Sequence, residues 1–134
     1  MGERRLSREL ALQIMYQREH IEEDVEQSVK LFASNFKAPP ELMHYARQLV
    51  LGVNENQASL DACLQSASQR WKLERMNRID RNILRLAAYE IIYGGLPVKV
   101  AINEAIELAK SFGSDESPAF VNGVLDSLAR AQQS

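Results

Sequence analysis

The stretch VKVAINEAIELAKSFGSDESPAFVNGVLD, Val98 to Asp126, decides the fold. On a helical wheel Ala101, Ile102, Ala105, Leu108, Ala109 and Phe112 gather on the side of Val98, and Asn103, Glu104, Glu107, Lys110 and Ser111 gather opposite. An apolar stripe facing away from a charged one belongs to a helix that covers a core on one side and meets water on the other. Gly113-Ser114-Asp115-Glu116 breaks the pattern. Ser117-Pro118 restarts it, with Ser117 placed to cap a new helix and Pro118 at its first position, where a missing N–H costs nothing. Phe120, Val121, Val124, Leu125 and Leu128 then form the next apolar face.

Working outward, apolar periodicity and breakers predict helices over 4–19, 24–36, 40–54, 56–70, 76–94, 97–112 and 118–131, and no strand. Pro39-Pro40 starts the third, Gly94-Gly95 stops the fifth and Pro97 starts the sixth. The expected fold is therefore all-α: one domain over residues 1–134, a compact bundle of about seven helices in two packed subdomains, about 1–75 and 76–134. Met76, Ile79, Ile83, Leu86 and Ala87 share one face of the fifth helix, and Leu84, Ala88, Tyr89 and Ile92 carry apolar character around its second half. That is the mark of a buried, central helix.

Composition narrows the function. At 134 residues and 46% hydrophobic content, the chain can bury about two-thirds of its unfolded surface in one core. Cys63 is the single cysteine, His20 and His44 stand alone, and no Cys/His spacing suits a metal, so no metal or cofactor is expected. A reducing cytoplasm is the natural compartment, since the N-terminus lacks a signal-peptide core and no apolar run has membrane-spanning length. No Ser/His/Asp or Cys/His set with a supporting motif, no P-loop and no GxGxxG is present.

The net charge of −2 argues against nucleic acid at first sight. Its distribution reverses that. Arg70, Lys72, Arg75, Arg78, Arg81 and Arg85 face only Glu74 and Asp80 within their stretch, and Arg4, Arg5 and Arg8 form a second cluster. Acid concentrates elsewhere, at Glu19, Glu22, Glu23, Asp24 and Glu26. Screening limits each cluster's field to roughly 8 Å at physiological salt, so local charge governs phosphate attraction.

On the first helix Leu6, Leu10 and Ile14 form the obvious core stripe, leaving Arg5, Arg8, Leu12 and Tyr16 along a neighbouring line. Arg78, Arg81 and Arg85 lie within about 60° of one another on the fifth; they suit RNA phosphates, internal acids or solvent. Glu90 falls toward the apolar side, where a hydrogen-bonded structural role is expected. Phe120 follows a loop that can leave its ring open for base stacking. Trp71 and Tyr45 have no motif around them and are assigned to packing. Gly123, after Asn122, costs its helix about 1 kcal/mol against alanine, and close helix packing would account for it. A small helical enzyme gripping a dianionic metabolite with Arg78, Arg81 or Arg85 and Glu90, in the manner of helical chorismate mutases, and a protein-only adaptor are the competing function classes.

INEAIELAKSFG and FVNGVLD resemble the C-terminal signature of the NusB family of transcription antitermination factors. Arg8–Tyr16 (RELALQIMY) is similar to that family's arginine-rich first helix, and Ile83–Glu90 (ILRLAAYE) to its central helix. The resemblance runs from near residue 4 to residue 126. It implies a non-enzymatic RNA-binding factor that, with the ribosomal protein NusE, binds boxA-type RNA of ribosomal RNA leader transcripts within the RNA polymerase antitermination complex, as a monomer or a homodimer. It further implies RNA contact by Arg4, Arg5, Arg8 and Phe120, with Arg85, Lys99, Lys110 and Asn122 as further candidates. Tyr16, Leu12 and Asp80 are implied as contacts to NusE.

Overall fold

The structure, a computed structural model, describes residues 2–19 and 23–133. His20 and Glu22, named above, lie outside them. Among the described residues there are seven α-helices and no strand: α1 Glu3–Arg18, α2 Val25–Phe36, α3 Pro40–Glu55, α4 Gln57–Ala67, α5 Arg78–Ile92, α6 Val98–Phe112 and α7 Ser117–Gln132, with a 3₁₀ turn at Leu73–Arg75. All seven expected helices form. The fourth ends at Ala67 instead of 70, and the fifth begins at Arg78.

Two compact units appear, one running to Glu55 and the other from Asn56. The division expected near residue 75 thus falls about twenty residues earlier in the chain. The cause lies in α4, which packs on α5 and α7.

In the first unit α1 packs chiefly against α3, and α2 covers both more lightly. Ala11 and Ala46 are wholly buried, and the Ser7 hydroxyl donates to the Leu42 carbonyl at 2.9 Å, tying α1 to the start of α3. The core face of α1 keeps Ile14 of the expected stripe but not Leu6. Ser7, Arg8, Ala11, Leu12, Ile14 and Met15 are buried while Leu6 is half exposed. Small residues let neighbouring backbones approach, so the close side of α1 runs through Ser7 and Ala11, about one position round from the line that residue size suggests.

In the second unit α5 packs against α4, α6 and α7. Ile83, Leu84, Leu86, Ala87 and Ala88 are buried, as the all-round apolar pattern predicts, and Glu90 is buried with them. The α6–α7 corner depends on Gly113, where a Cβ would stand 2.5 Å from the Ser117 Oγ. Ser117, wholly buried, turns that hydroxyl back to accept the Ser114 N–H at 2.9 Å instead of capping forward. This corner sets Phe120 in the first turn of α7. Gly123 is different: it is exposed, and a Cβ there meets nothing within 4 Å. Close helix packing does not explain it.

Candidate nucleic-acid interface

The segment between α4 and α5 is irregular but firmly held. Gln65, in the last turn of α4, donates through Nε2 to the carbonyls of Ser68 at 3.2 Å and Trp71 at 3.1 Å, and its Oε1 accepts the Leu73 N–H at 2.9 Å. The buried Ser68 adds a hydroxyl bond to the Trp71 carbonyl at 3.2 Å. From the other side, Arg81 Nη1 reaches the carbonyls of Leu73, Glu74 and Met76 at 3.3–3.4 Å. Leu73 is the apolar anchor of the segment. With backbone groups satisfied from both flanks, Trp71 is left 60% exposed.

At the start of α5 the Asn77 Oδ1 accepts the Asp80 N–H at 2.8 Å, and its Nδ2 donates to Asp80 Oδ2 at 3.1 Å. This reciprocal cap is worth about 1 kcal/mol to the helix. It also fixes Asp80, only 7% exposed, at the edge of an open pocket of about 230 Å³. Trp71 and Phe120 give that pocket aromatic walls, Lys72 and Arg75 give it cations, and Ser114 and Glu116 close it from the α6–α7 corner. The two rings meet edge to face, with centroids 6.4 Å apart. Aromatic surface for stacking, beside exposed cations for phosphate, is the combination that holds single-stranded nucleic acid.

Phe120 is half-buried and lines the pocket, and Asp80 lies in the same pocket. Trp71 corrects the packing assignment made from sequence. No motif marks it; the signal is the nonlocal clamp from Gln65 and Arg81, which residue types alone do not reveal. Lys99, Lys110 and Asn122 are exposed but do not line the pocket, and Lys110 pairs with Glu107 at 3.3 Å.

Arg85 is corrected from RNA ligand to structural residue: its guanidinium grips both Asp61 oxygens, at 2.8 and 3.0 Å, and its side chain is 11% exposed. Arg81 is likewise committed to backbone carbonyls. None of Arg78, Arg81, Arg85 or Glu90 lines the pocket. The arrangement that the metabolite-binding enzyme requires is therefore not formed there.

In the other unit Arg4 is exposed, its guanidinium carbon 3.8 Å from the centre of the Tyr45 ring, and Arg5 is half-buried. A cation held over an aromatic face keeps donors free at its edge for a phosphate. Arg8 is corrected: it is 5% exposed, with its guanidinium 5.8 Å from the same ring, and its burial removes it from phosphate reach. Leu12 is corrected too, since at 1% exposure it is core and cannot meet a partner. Tyr16 is exposed.

The NusB family model matches residues 5–130. The transcription antitermination protein NusB of Myxococcus xanthus is 45% identical over 136 residues, covering 98% of this chain and 97% of that protein. The structure of T. maritima NusB superposes with a TM-score of 0.85 at 33% identity, covering 97% of this chain and 92% of that one. A structure described as antitermination factors NusB and NusE in complex with dsRNA shares the fold, with a TM-score of 0.87 at 22% identity and 98% of both chains covered. A family match over nearly every residue, joined to full-length likeness at this level of identity, places the chain in the NusB family of transcription antitermination factors.

Proposed function

We propose that the chain binds single-stranded boxA-type RNA of ribosomal RNA leader transcripts together with NusE, and so helps RNA polymerase read through terminators and supports ribosome biogenesis. The observation that carries this is the open pocket in which Trp71 and Phe120 stand beside Lys72 and Arg75. A structure sharing the fold, described as NusB and NusE in complex with dsRNA, supports reading NusE and RNA as the partners. Labour is divided. Phe120 and Trp71 stack on bases; Lys72, Arg75, Arg4 and Arg5 attract phosphates; Lys99, Lys110 and Asn122 extend the polar surface. Tyr16 meets NusE, and Asp80, at the edge of the pocket, is a second NusE contact. NusE tightens RNA binding and RNA tightens NusE binding by the same factor, because the coupling is reciprocal. A homodimer of the free chain that covered these surfaces would compete with RNA. The compartment is the cytoplasm, where transcription proceeds; no described helix is long and apolar enough to cross a membrane.

The test is a titration of boxA-like and scrambled RNA oligomers with and without NusE, read by fluorescence anisotropy. Tighter binding of the boxA sequence, enhanced by NusE, is the expected outcome. Equal affinity for both sequences, unchanged by NusE, would reduce the interaction to non-specific charge attraction.

A further inference from the structure

One side chain sets the course of the backbone through three of the residues that line the pocket. α4 ends at Ala67 and the 3₁₀ turn begins at Leu73, so Trp71 and Lys72 sit on backbone outside any helix. The Gln65 amide holds that backbone: Nε2 donates to the Ser68 and Trp71 carbonyls at 3.2 and 3.1 Å, and Oε1 accepts the Leu73 N–H at 2.9 Å. Its bonds therefore fall on both sides of Lys72. The bond to Leu73 also gives the first N–H of the 3₁₀ turn an acceptor, and that turn carries Arg75, whose N–H reaches the Lys72 carbonyl at 2.9 Å. Gln65 itself is exposed and does not line the pocket.

We infer that Gln65 is a positioning residue for RNA, acting through Trp71, Lys72 and Arg75 without touching the strand, an inference that rests on the chain being an RNA-binding protein. Affinity depends on how much must be ordered at the moment of binding. A loose stretch that stacks a base only after it has been fixed loses backbone freedom in doing so, and that loss subtracts from the stacking energy. Held in advance by the amide, Trp71 presents its ring beside Phe120, and Lys72 its ammonium, with that entropy already lost in folding. An amide suits the task because one planar group carries both donors and an acceptor. The Trp71 carbonyl and the Leu73 N–H need one of each. A carboxylate at this position could still accept from Leu73 but would set negative charge against two carbonyl oxygens, and an apolar side chain could do neither. Arg81 braces only the carbonyls of Leu73, Glu74 and Met76, so it does not replace Gln65 at Trp71.

The experiment uses the full chain, its Gln65→Leu and Gln65→Glu variants, and a labelled boxA-like single-stranded RNA at fixed salt. Anisotropy gives affinity. Both variants are expected to bind about ten-fold more weakly than the parent. Gln65→Glu keeps the bond to Leu73, so the test stands even if Gln65→Leu folds poorly. The same substitutions are then made in a chain that also carries Trp71→Ala and Lys72→Ala. There each should weaken binding by less than about two-fold, because the groups that Gln65 positions are gone. Without RNA, time-resolved anisotropy of Trp71, the single tryptophan, should show added fast motion of the indole in both variants. Parent-like affinity in both variants, or indole motion equal to the parent's, would overturn the positioning role while leaving RNA binding intact. A ten-fold loss, or about that, that persists without Trp71 and Lys72 would overturn it as well, since Gln65 would then act on the fold in general. Failure of the parent chain to bind this RNA would overturn both the positioning role and the RNA-binding reading beneath it.

Discussion

The Trp71 indole and the Phe120 ring meet edge to face, with their planes at 84°. Such a pair gains roughly 1 kcal/mol beyond the area it buries. A stacked pair covers one face of each ring, whereas an edge-to-face pair covers a face of only one and leaves the others to a third aromatic system. Trp71 comes from the clamped segment after α4 and Phe120 from the first turn of α7, so two separate elements must each be in place before the open face exists.

Trp71→Ala and Phe120→Ala should each weaken single-stranded RNA binding by ~1–3 kcal/mol, the range for one base–aromatic stack. Their stabilities should differ. Trp71 is 60% exposed, so its loss should leave thermal unfolding within about 0.5 kcal/mol of the parent. The half-buried Phe120 should cost more. Anisotropy and thermal melts on the two variants check both statements, and full RNA affinity in Trp71→Ala would exclude it from the site.

Much of this was legible in the sequence, and the parts that were not share a cause. Pro39-Pro40, Gly94-Gly95 and Pro97 act locally on the backbone, so helix number and most boundaries follow from residue type and spacing. The end of α4 does not, because Ser68–Arg70 carries no breaker; the Gln65 side chain draws the chain out of the helix by bonding to Trp71 and Leu73. Arg85 shows the same limit. Its place on the wheel is that of an exposed cation, and only Asp61, twenty-four positions away in sequence, turns it inward. On α1, large apolar residues suggested one stripe, and small ones at Ser7 and Ala11 decided another.

Arg4, Arg5, Lys72 and Arg75 make four candidate phosphate contacts. At about 0.7 per contact on a single strand, log affinity should fall against log salt with a slope near −3, about a fifty-fold loss between ~50 and ~200 mM. Replacing Arg4 and Arg5 together by alanine should bring the slope to about −1.4. Arg8→Ala should instead lower stability and leave the slope alone, since Arg8 is buried. A slope that stays near −3 without Arg4 and Arg5 would remove them from the interface.

Arg85→Ala should destabilise the protein by about 2 kcal/mol, between the small value of an exposed ion pair and the larger one of a buried pair. Asp61 loses both its Arg85 bonds in that variant. Denaturant unfolding measures the loss, and an RNA salt slope equal to the parent's at a temperature where the variant is folded confirms that the residue acts on structure alone.

Gly123→Ala should stabilise α7 by up to about 1 kcal/mol, because the position is helical, exposed and open to a Cβ. A melting temperature below the parent's would show that the glycine is needed by the folded chain itself.

Glu26 and Arg47 join α2 to α3 on an exposed surface. The hydrogen bond from Arg47 holds the Glu26 carboxyl below its ordinary value of 4.5. A depressed carboxyl stabilises the fold above its unfolded value and loses that contribution as pH falls through the folded one. Stability should therefore decline below pH 4.5, and Glu26→Gln should flatten this part of the decline. Unfolding midpoints between pH 3 and 6, as about the relevant range, that run parallel for parent and variant would contradict it.

Trp71 is the single tryptophan of the chain, so its emission reports the pocket without labelling. Titrating the protein with boxA-like single-stranded RNA should quench that emission, with saturation at the RNA concentration at which anisotropy shows binding complete. RNA that saturates the protein while leaving Trp71 emission unchanged would contradict base stacking in this pocket.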